Sequence, residues 1–386
     1  MTEVHLVTPA LVPDLIRRLE AAQVVAVDTE FHTERHHRPD LFLVQLGLPD
    51  GSAWLLDPLV PGLLSDLAPA LVSRPAWLVH AGEQDLRLLR DALGDVAAVV
   101  HDTQVAGGLV GPHHPMSLAA LVRHHLALDL PKSSTLSDWS RRPLDPVQVR
   151  YAADDVLVLP ALWAALTAAA ERLDRRALVD AACAEHRARA LAPPDAGEGW
   201  RELDTAGVLT PPEAAALIAL LRWRDALATT EDRPPRTLIG DAALRQLARG
   251  RPATPSAVFD QRRLPRGFVK AHADAIVGAI ASATAPGAAL PNVVAPGSSV
   301  ARRLALVRAF TEAVGHAREF AAPLVVPGPI REALARLSSP SRADVAAALG
   351  DWRDALAGAE LTDALNGRLS LTFSDTDTAL SPRAEP

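Results

Sequence analysis

The stretch Val24-Val-Ala-Val-Asp-Thr-Glu-Phe31 constrains the fold more than any other in this chain. Its apolar, β-branched start predicts a buried strand. Four apolar residues then give way to two carboxylates. A strand alternates faces with period two, so Asp28 and Glu30 share one side and Thr29 takes the other. Two carboxylates side by side on a central strand repel each other and are costly to bury. A divalent cation resolves that cost. A strand that ends there, with its acids in water, avoids it. The strand by itself leaves both readings open.

Other strands follow. Leu41–Leu48 and Ala53–Asp57 lie at hairpin distance, with Asp50-Gly51 as the turn signal. Trp77–His80 reads as a fourth strand and Val96–Val100 as a short fifth. Helical patterns occupy Asp85–Leu93, Thr103–Val110, Ser117–Leu126 and 146–172. In the last, Asp145 can cap, Pro146 suits the first helical position, and Pro160 should kink or divide the helix. Early strands pairing antiparallel, then strands separated by helices, predict an α/β arrangement: a mixed sheet covered by helices.

At 386 residues the chain has room for two or three domains. The polar, proline-bearing segment 192–199 reads as a linker, and after it only helical patterns are recognised. Thr210-Pro-Pro-Glu213 is a capping box opening an apolar helix. Further helices are expected at 241–247, 254–260 and 267–282. A second linker runs from 285 to 298. The expected division is an α/β domain at 1–190, a helical domain at 205–285, a second helical domain at 299–372 and a loose tail at 373–386.

Charge follows the same boundaries. The net charge is −7. Residues 1–204 carry 18 basic and 28 acidic groups, while residues 205–280 carry 11 and 7. Between Arg233 and Lys270, nine basic residues face only Asp241 and Asp260. An acidic first part and a basic module fit metal chemistry in one place and polyanion binding in another. Lysine occurs only at 132 and 270, so composition bias toward arginine accounts for part of this pattern. The single cysteine, Cys183, excludes an internal disulfide and a cysteine-based zinc site. The longest apolar run, Val156 to Ala170, is interrupted by Pro160 and Thr167 and falls short of the roughly 18 residues of a membrane span. Glu3, with no basic patch before an apolar stretch, does not match a secretory signal. A soluble, cytoplasmic protein is expected.

More carboxylates recur at spaced positions. Asp85, in His80-Ala-Gly-Glu-Gln-Asp-Leu86, follows a strand and a glycine turn and opens a helix, where it could equally be an N-cap. Asp154 and Asp155 lie in Tyr151-Ala-Ala-Asp-Asp-Val156. Tyr151 and Asp155 are four apart and share a helical face. Asp-x-Glu on the first strand, an Asp at a helix start and Tyr-x-x-x-Asp on a later helix together resemble the DEDD exonucleases of the tyrosine subtype, which implies an α/β ribonuclease H-like fold for the first domain. The stretches Val44-Gln-Leu46, Asp57-Pro58, Asp102-Thr-Gln104, Lys132-Ser133, Asp138-Trp139 and Arg142-Pro-Leu144 resemble the ribonuclease D family in particular. Leu221-Arg-Trp-Arg-Asp-Ala-Leu-Ala228 with Glu231-Asp-Arg-Pro-Pro235 is similar to an HRDC domain, the helicase-and-RNase-D C-terminal module.

The resemblance implies metal-dependent 3′→5′ hydrolysis of RNA to 5′-mononucleotides, with RNA bearing a free 3′ end, such as a tRNA precursor, as substrate. It implies two divalent cations, Mg²⁺ or Mn²⁺, on Asp28, Glu30, Asp85 and Asp155, with Asp28 bridging. Tyr151 would orient the attacking water, and the Tyr-plus-four spacing selects Asp155 over Asp154. Hard cations and a cysteine-free carboxylate set agree chemically. Substrate contacts are assigned to His80, Lys132 and Phe31, each of which also suits a plain structural or solvated role. The histidines at 32, 36 and 37 read as a solvated loop rather than a zinc cluster. A monomer with no membrane partner is expected. Two other classes compete: a DNA-directed 3′→5′ exonuclease of repair, and a non-catalytic nucleic-acid-binding protein. The absence of a Gly-x₄-Gly-Lys-Ser/Thr phosphate loop weighs against helicase-type chemistry.

Overall fold

The computed structural model describes residues 3–130, 138–204, 208–260, 264–373 and 378–382. The chain divides into two compact units: Met1–Phe31, Leu41–Ala192 and Leu304–Pro386 form one, His32–Asp40 and Pro193–Arg303 the other.

The first unit is built on a six-stranded sheet: β1 (Val4–Leu6), β2 (Val24–His32), β3 (Asp40–Gly47), β4 (Ala53–Leu56), β5 (Ala76–Val79) and β6 (Val99–Asp102). The spatial order is β1-β4-β3-β2-β5-β6. β3 and β4 pair antiparallel, whereas β1 runs parallel to β4 and β5 runs parallel to both β2 and β6. The sheet is therefore mixed, as predicted, and β2 is central. β1 has no sequence pattern because three residues cannot show a period. β6 starts at Val99, since Val96 and Ala97 enter the core without joining the ladder.

Helices α1 (Val12–Ala21), α2 (Leu63–Val72), α3 (Glu83–Leu93), α4 (Thr103–Leu109), α5 (Leu118–Leu126), α6 (Pro146–Leu157), α7 (Leu159–Arg172) and α8 (Arg176–Leu191) surround it. On one face Val25, Val27, Val44 and Leu46 meet Leu15 and Leu19 of α1, Leu67 and Leu71 of α2, and Leu86 and Leu89 of α3. On the other, Ala26, Leu78 and Ala53 meet Ala153, Val156 and Leu159. Residues 146–172 together are long and apolar enough to cross a membrane. Here, however, Ala153, Val156 and Leu159 are buried against the sheet, and Pro160 divides the stretch at Val158. Asp145 and Gln148 form the capping box that starts α6.

The second unit is helical: α9 (Trp200–Leu203), α10 (Pro211–Glu231), α11 (Pro235–Leu238), α12 (Asp241–Gly250), α13 (Pro255–Phe259) and α14 (Arg266–Ala283). The Thr210 N–H donates to Glu213 at 2.7 Å, which closes the predicted capping box of α10. Leu217, Leu220 and Leu221 pack on Leu244, Leu247, Val269 and Ile276. Within this unit the loop before β3 meets α10. His36 Nδ1 lies 2.7 Å from Asp232 Oδ2, and His37 Nε2 lies 3.0 Å from Asp225 Oδ1. Both histidines of this loop thus pair with carboxylates in and just after the C-terminal half of α10.

The last segment differs from the sequence reading. α15 (Ser299–Ala317), α16 (Ala322–Val325), α17 (Gly328–Arg336), α18 (Arg342–Leu349) and α19 (Asp351–Leu365) precede a hairpin, β7 (Leu369–Phe373) and β8 (Thr378–Pro382). From Leu304 onward the chain belongs to the first unit, where the sequence predicts a separate helical domain and a loose tail. The physical reason is a set of long-range polar contacts. Arg175, buried between α7 and α8, donates to the carbonyls of Leu109 and Glu319, each at 2.8 Å, and to that of Arg318. The Ala321 N–H donates to Gly108 O at 2.7 Å. Glu185 of α8 accepts from Trp352 and from the Arg353 guanidinium of α19. The hairpin follows the alternation in Leu-Ser-Leu-Thr-Phe373.

Candidate active site

Ala26, Asp28 and Glu30 lie on the same face of β2, beneath α6. One ligand oxygen each from Asp28, Glu30 and Asp155 can be chosen so that all three lie within 4.8 Å of one another. α6 lies close because β3 carries glycine at its end. A methyl group at Gly47 would sit 2.8 Å from the Val156 carbonyl oxygen and 3.1 Å from the Ala26 methyl. The helix therefore presses Tyr151 and Asp155 toward the carboxylates of β2. The Tyr151 hydroxyl donates to Asp155. Trp139, buried with Phe42, Leu43 and Ala152, stands 6.2 Å from the Tyr151 ring. Arg142 fastens the segment before α6. It donates to both oxygens of Asp57, to Phe42 O at 2.7 Å and to Trp139 O at 2.7 Å.

Asp85 reaches the site from the other side. It is not the N-cap of α3, a position taken by Gly82, but lies in the first turn, 7% exposed. The Thr29 hydroxyl donates to it. The turn that launches α3 is held by Asp102, which is 1% exposed. Its carboxylate accepts from the N–H groups of Ala81 and Gly82, each at 3.0 Å, and from those of Gln104 and Val105 at the start of α4. Ala81 has φ +54°, a left-handed conformation, and these bonds hold it there.

The electrostatics match a site built for cations. Burial raises the Asp28 carboxyl well above the carboxylate range, and Asp85, Asp155 and Glu30 reinforce the shift. Burial, then Asp155 and Asp85, lifts Glu30 to about 8. Burial also lifts Asp85 to about 6 against the Thr29 hydrogen bond, and Asp155 to about 6 against the Tyr151 hydrogen bond. Burial and the neighbouring acids push the Tyr151 phenol upward, so it keeps its proton. Four crowded carboxylates that resist ionisation are the donor set a hard divalent cation relieves.

The other predicted residues fall outside this cluster. Asp154 is bound by Arg150 at 2.9 Å, as its position on the helix implies. His80 Nδ1 lies 2.9 Å from Thr103 Oγ1, and the ring also hydrogen-bonds the Met116 backbone. Its nitrogens thus tie the end of β5 to the start of α4 and to the segment before α5. Phe31 follows Thr29 on the face opposite Asp28 and is partly exposed. Lys132 lies outside the described residues. Sequence reasoning assigned no role to Thr29, Gly47 or Asp102. The latter two belong to or adjoin the quoted stretches Val44-Gln-Leu46 and Asp102-Thr-Gln104, but their partners are distant in sequence.

A mixed sheet with an Asp-x-Glu strand, a third acid at a helix start and a Tyr-x-x-x-Asp helix defines a divalent-metal-dependent 3′–5′ exonuclease, here joined to a helical module. A family model described as 3′-5′ exonuclease matches residues 5–171, and the HRDC domain model matches residues 213–280. Ribonuclease D of Xanthomonas oryzae pv. oryzae is 36% identical over 274 residues, covering 68% of this chain and 74% of that protein. Ribonuclease D of Granulibacter bethesdensis is 31% identical over 367 residues, covering 92% and 91%. The chain belongs to the ribonuclease D family and is a 3′–5′ exoribonuclease. The same fold occurs in the crystal structure of Escherichia coli RNase D, with a TM-score of 0.73 at 23% identity over 95% of this chain and 99% of that one.

Proposed function

We propose that this enzyme trims structured RNAs, tRNA precursors among them, from the 3′ end in the cytoplasm, releasing nucleoside 5′-monophosphates. In this reading Asp28, Glu30, Asp85 and Asp155 hold two divalent cations, Mg²⁺ or Mn²⁺. The convergence of Asp28, Glu30 and Asp155 carries the assignment. When bound, the cations supply positive charge at the scissile phosphate and lower the barrier to attack by water. Tyr151 keeps its proton and acts by position, setting the water's orientation with its hydroxyl while Trp139 backs the ring. Water adds to phosphorus and the 3′ oxygen of the penultimate nucleotide leaves, taking up the proton the water gives. We assign no substrate contact to His80, whose nitrogens are engaged. Phe31 remains a candidate for stacking on a base.

Capture of the RNA body falls to the HRDC domain, taken as residues 205–285. Arg233, Arg236, Arg245, Arg249, Arg251, Arg266 and Lys270 are all exposed there. Arg262 and Arg263 lie outside the described residues. End-labelled RNA and DNA of one sequence, incubated with and without Mg²⁺ or Mn²⁺, test the reading. Stepwise 3′ shortening of RNA that stops in EDTA is expected. Equal shortening of DNA would make the enzyme a general 3′ exonuclease. Shortening that persists in EDTA would remove the metal assignment.

A further inference from the structure

Gln45 is 0% exposed, and neither its Oε1 nor its Nε2 has a hydrogen-bond partner among the described residues. An unpaired buried carboxamide forfeits its hydration with nothing in return, so such a group is rare unless a partner arrives from outside the chain. Its position identifies where that partner would come from. Gln45 lies in β3 opposite Leu55 of β4, and Leu55 packs with Leu43, Trp139 and Ala152 on the α6 side of the sheet. Val44 and Leu46 point into the opposite core. β2 and β3 are neighbours in the sheet. The seven-residue connection 33–39 is too short for a parallel crossover, so the two strands run antiparallel. Gly47 abuts Ala26. Two residues back along β3 and two forward along β2 therefore set Gln45 across from Asp28, on the face that carries the carboxylates. The amide makes no direct bond to Asp28, so a water or ligand reaching that place is needed to satisfy it.

We infer that Gln45 is a positioning residue of the metal centre, its carboxamide hydrogen-bonding the hydration water that a divalent cation brings beside Asp28. This rests on the carboxylates being metal ligands. Its Oε1 would accept from that water, and its NH₂ would donate to a carboxylate oxygen the cation leaves free. The amide is then an orphan without metal and satisfied with it. Groups of this kind, one layer beyond the ligands, are worth about 10–100-fold in metal affinity.

The test is calorimetric titration of the metal-free full chain with Mn²⁺, together with melting temperatures in EDTA and in Mn²⁺. Gln45→Met removes the amide and keeps an unbranched side chain of similar size. The expected result is a crossing. Metal-free Gln45→Met melts at or above the wild type, because an unpaired polar group has gone. Its Mn²⁺ dissociation constant rises about tenfold or more. The Mn²⁺ needed for half-maximal turnover rises with it, while KM for RNA stays put. A side chain that merely fills space would shift both melting temperatures equally and leave the titration unchanged, which would overturn the inference. Gln45→Leu repeats the measurement should the Met variant fold poorly. Asp28→Asn is titrated alongside. If the wild type itself binds no Mn²⁺, the ligand assignment fails; if it binds and Gln45→Met matches it, only the role of Gln45 fails.

Discussion

Asp154 and Asp155 are neighbours on α6 with opposite surroundings: Arg150 holds the first, and Tyr151 donates to the second beside Asp28 and Glu30. Asp155→Ala is therefore expected to abolish measurable turnover, while Asp154→Ala costs at most a few-fold; single-turnover rates on a short labelled RNA decide the order. Asp28→Asn should lower the rate by several orders of magnitude with an unchanged circular dichroism spectrum. Tyr151→Phe should lose rate yet still bind Mn²⁺ if, as proposed, the phenol positions water and ligates no cation. The raised carboxylates also set a pH dependence. Glu30, near 8, and Asp85 and Asp155, near 6, hold protons in the metal-free folded state that the unfolded chain releases near 4. Stability rises with pH only where the unfolded state binds more protons; here the folded state does. Their contribution is full below about 4 and is lost as pH climbs from there to about 6 for Asp85 and Asp155 and to about 8 for Glu30. In EDTA, the melting temperature should fall over that window, less so in Glu30→Gln, and Mn²⁺ should restore it.

At the scale of elements, the site is a meeting of β2, α3 and α6, and each is held by a contact remote in sequence. Gly47 is the tightest of these. Gly47→Ala puts a methyl group against the Val156 carbonyl, which does not yield as a side chain would. Overpacking of this kind costs about 1–3 kcal/mol. The expected outcome is a lower melting temperature and, because α6 carries Tyr151 and Asp155, a slower chemical step at saturating Mn²⁺. Thermal denaturation and single-turnover kinetics measure the two separately. Strands β2 to β6 and helices α3 to α7 were legible beforehand from local periods, as were the capping box at Asp145 and the break at Pro160. β1 was not, because a three-residue strand exists only through its pairing with β4.

Across the whole molecule, the segment from Leu304 is not detachable from the nuclease fold, because Arg175, Glu185 and Gly108 hold it. A fragment ending near Ala190 should thus melt well below the full chain. Capture is better tested by charge. Arg249→Glu, Arg266→Glu and Lys270→Glu combined in the full chain should leave degradation of short unstructured RNA near wild type. Binding of a tRNA-like RNA should weaken, with a shallower dependence on salt, since each lost phosphate contact removes released counterions. Filter binding between 50 and 300 mM salt (about that range) reads the slope. An unchanged slope would relieve these cations of the capture role.

Strands β2 to β6, helices α3 to α7, the same-face placement of Asp28 and Glu30 and the pairing of Tyr151 with Asp155 were all determined by the sequence alone. Each follows from a repeat of two or 3.6 residues, and such periods are local. Tertiary structure decided the rest. It brought Asp155 to Asp28 across more than a hundred residues, and made Asp85 a first-turn acid bound by Thr29 rather than a helix cap. It turned Asp102 into the anchor of that turn. It docked the C-terminal helices on α4 and α8, and left Gln45 buried without a partner opposite the carboxylates. Contacts of that range depend on which surfaces meet, and an apolar or polar pattern along one segment does not name the surface it will meet.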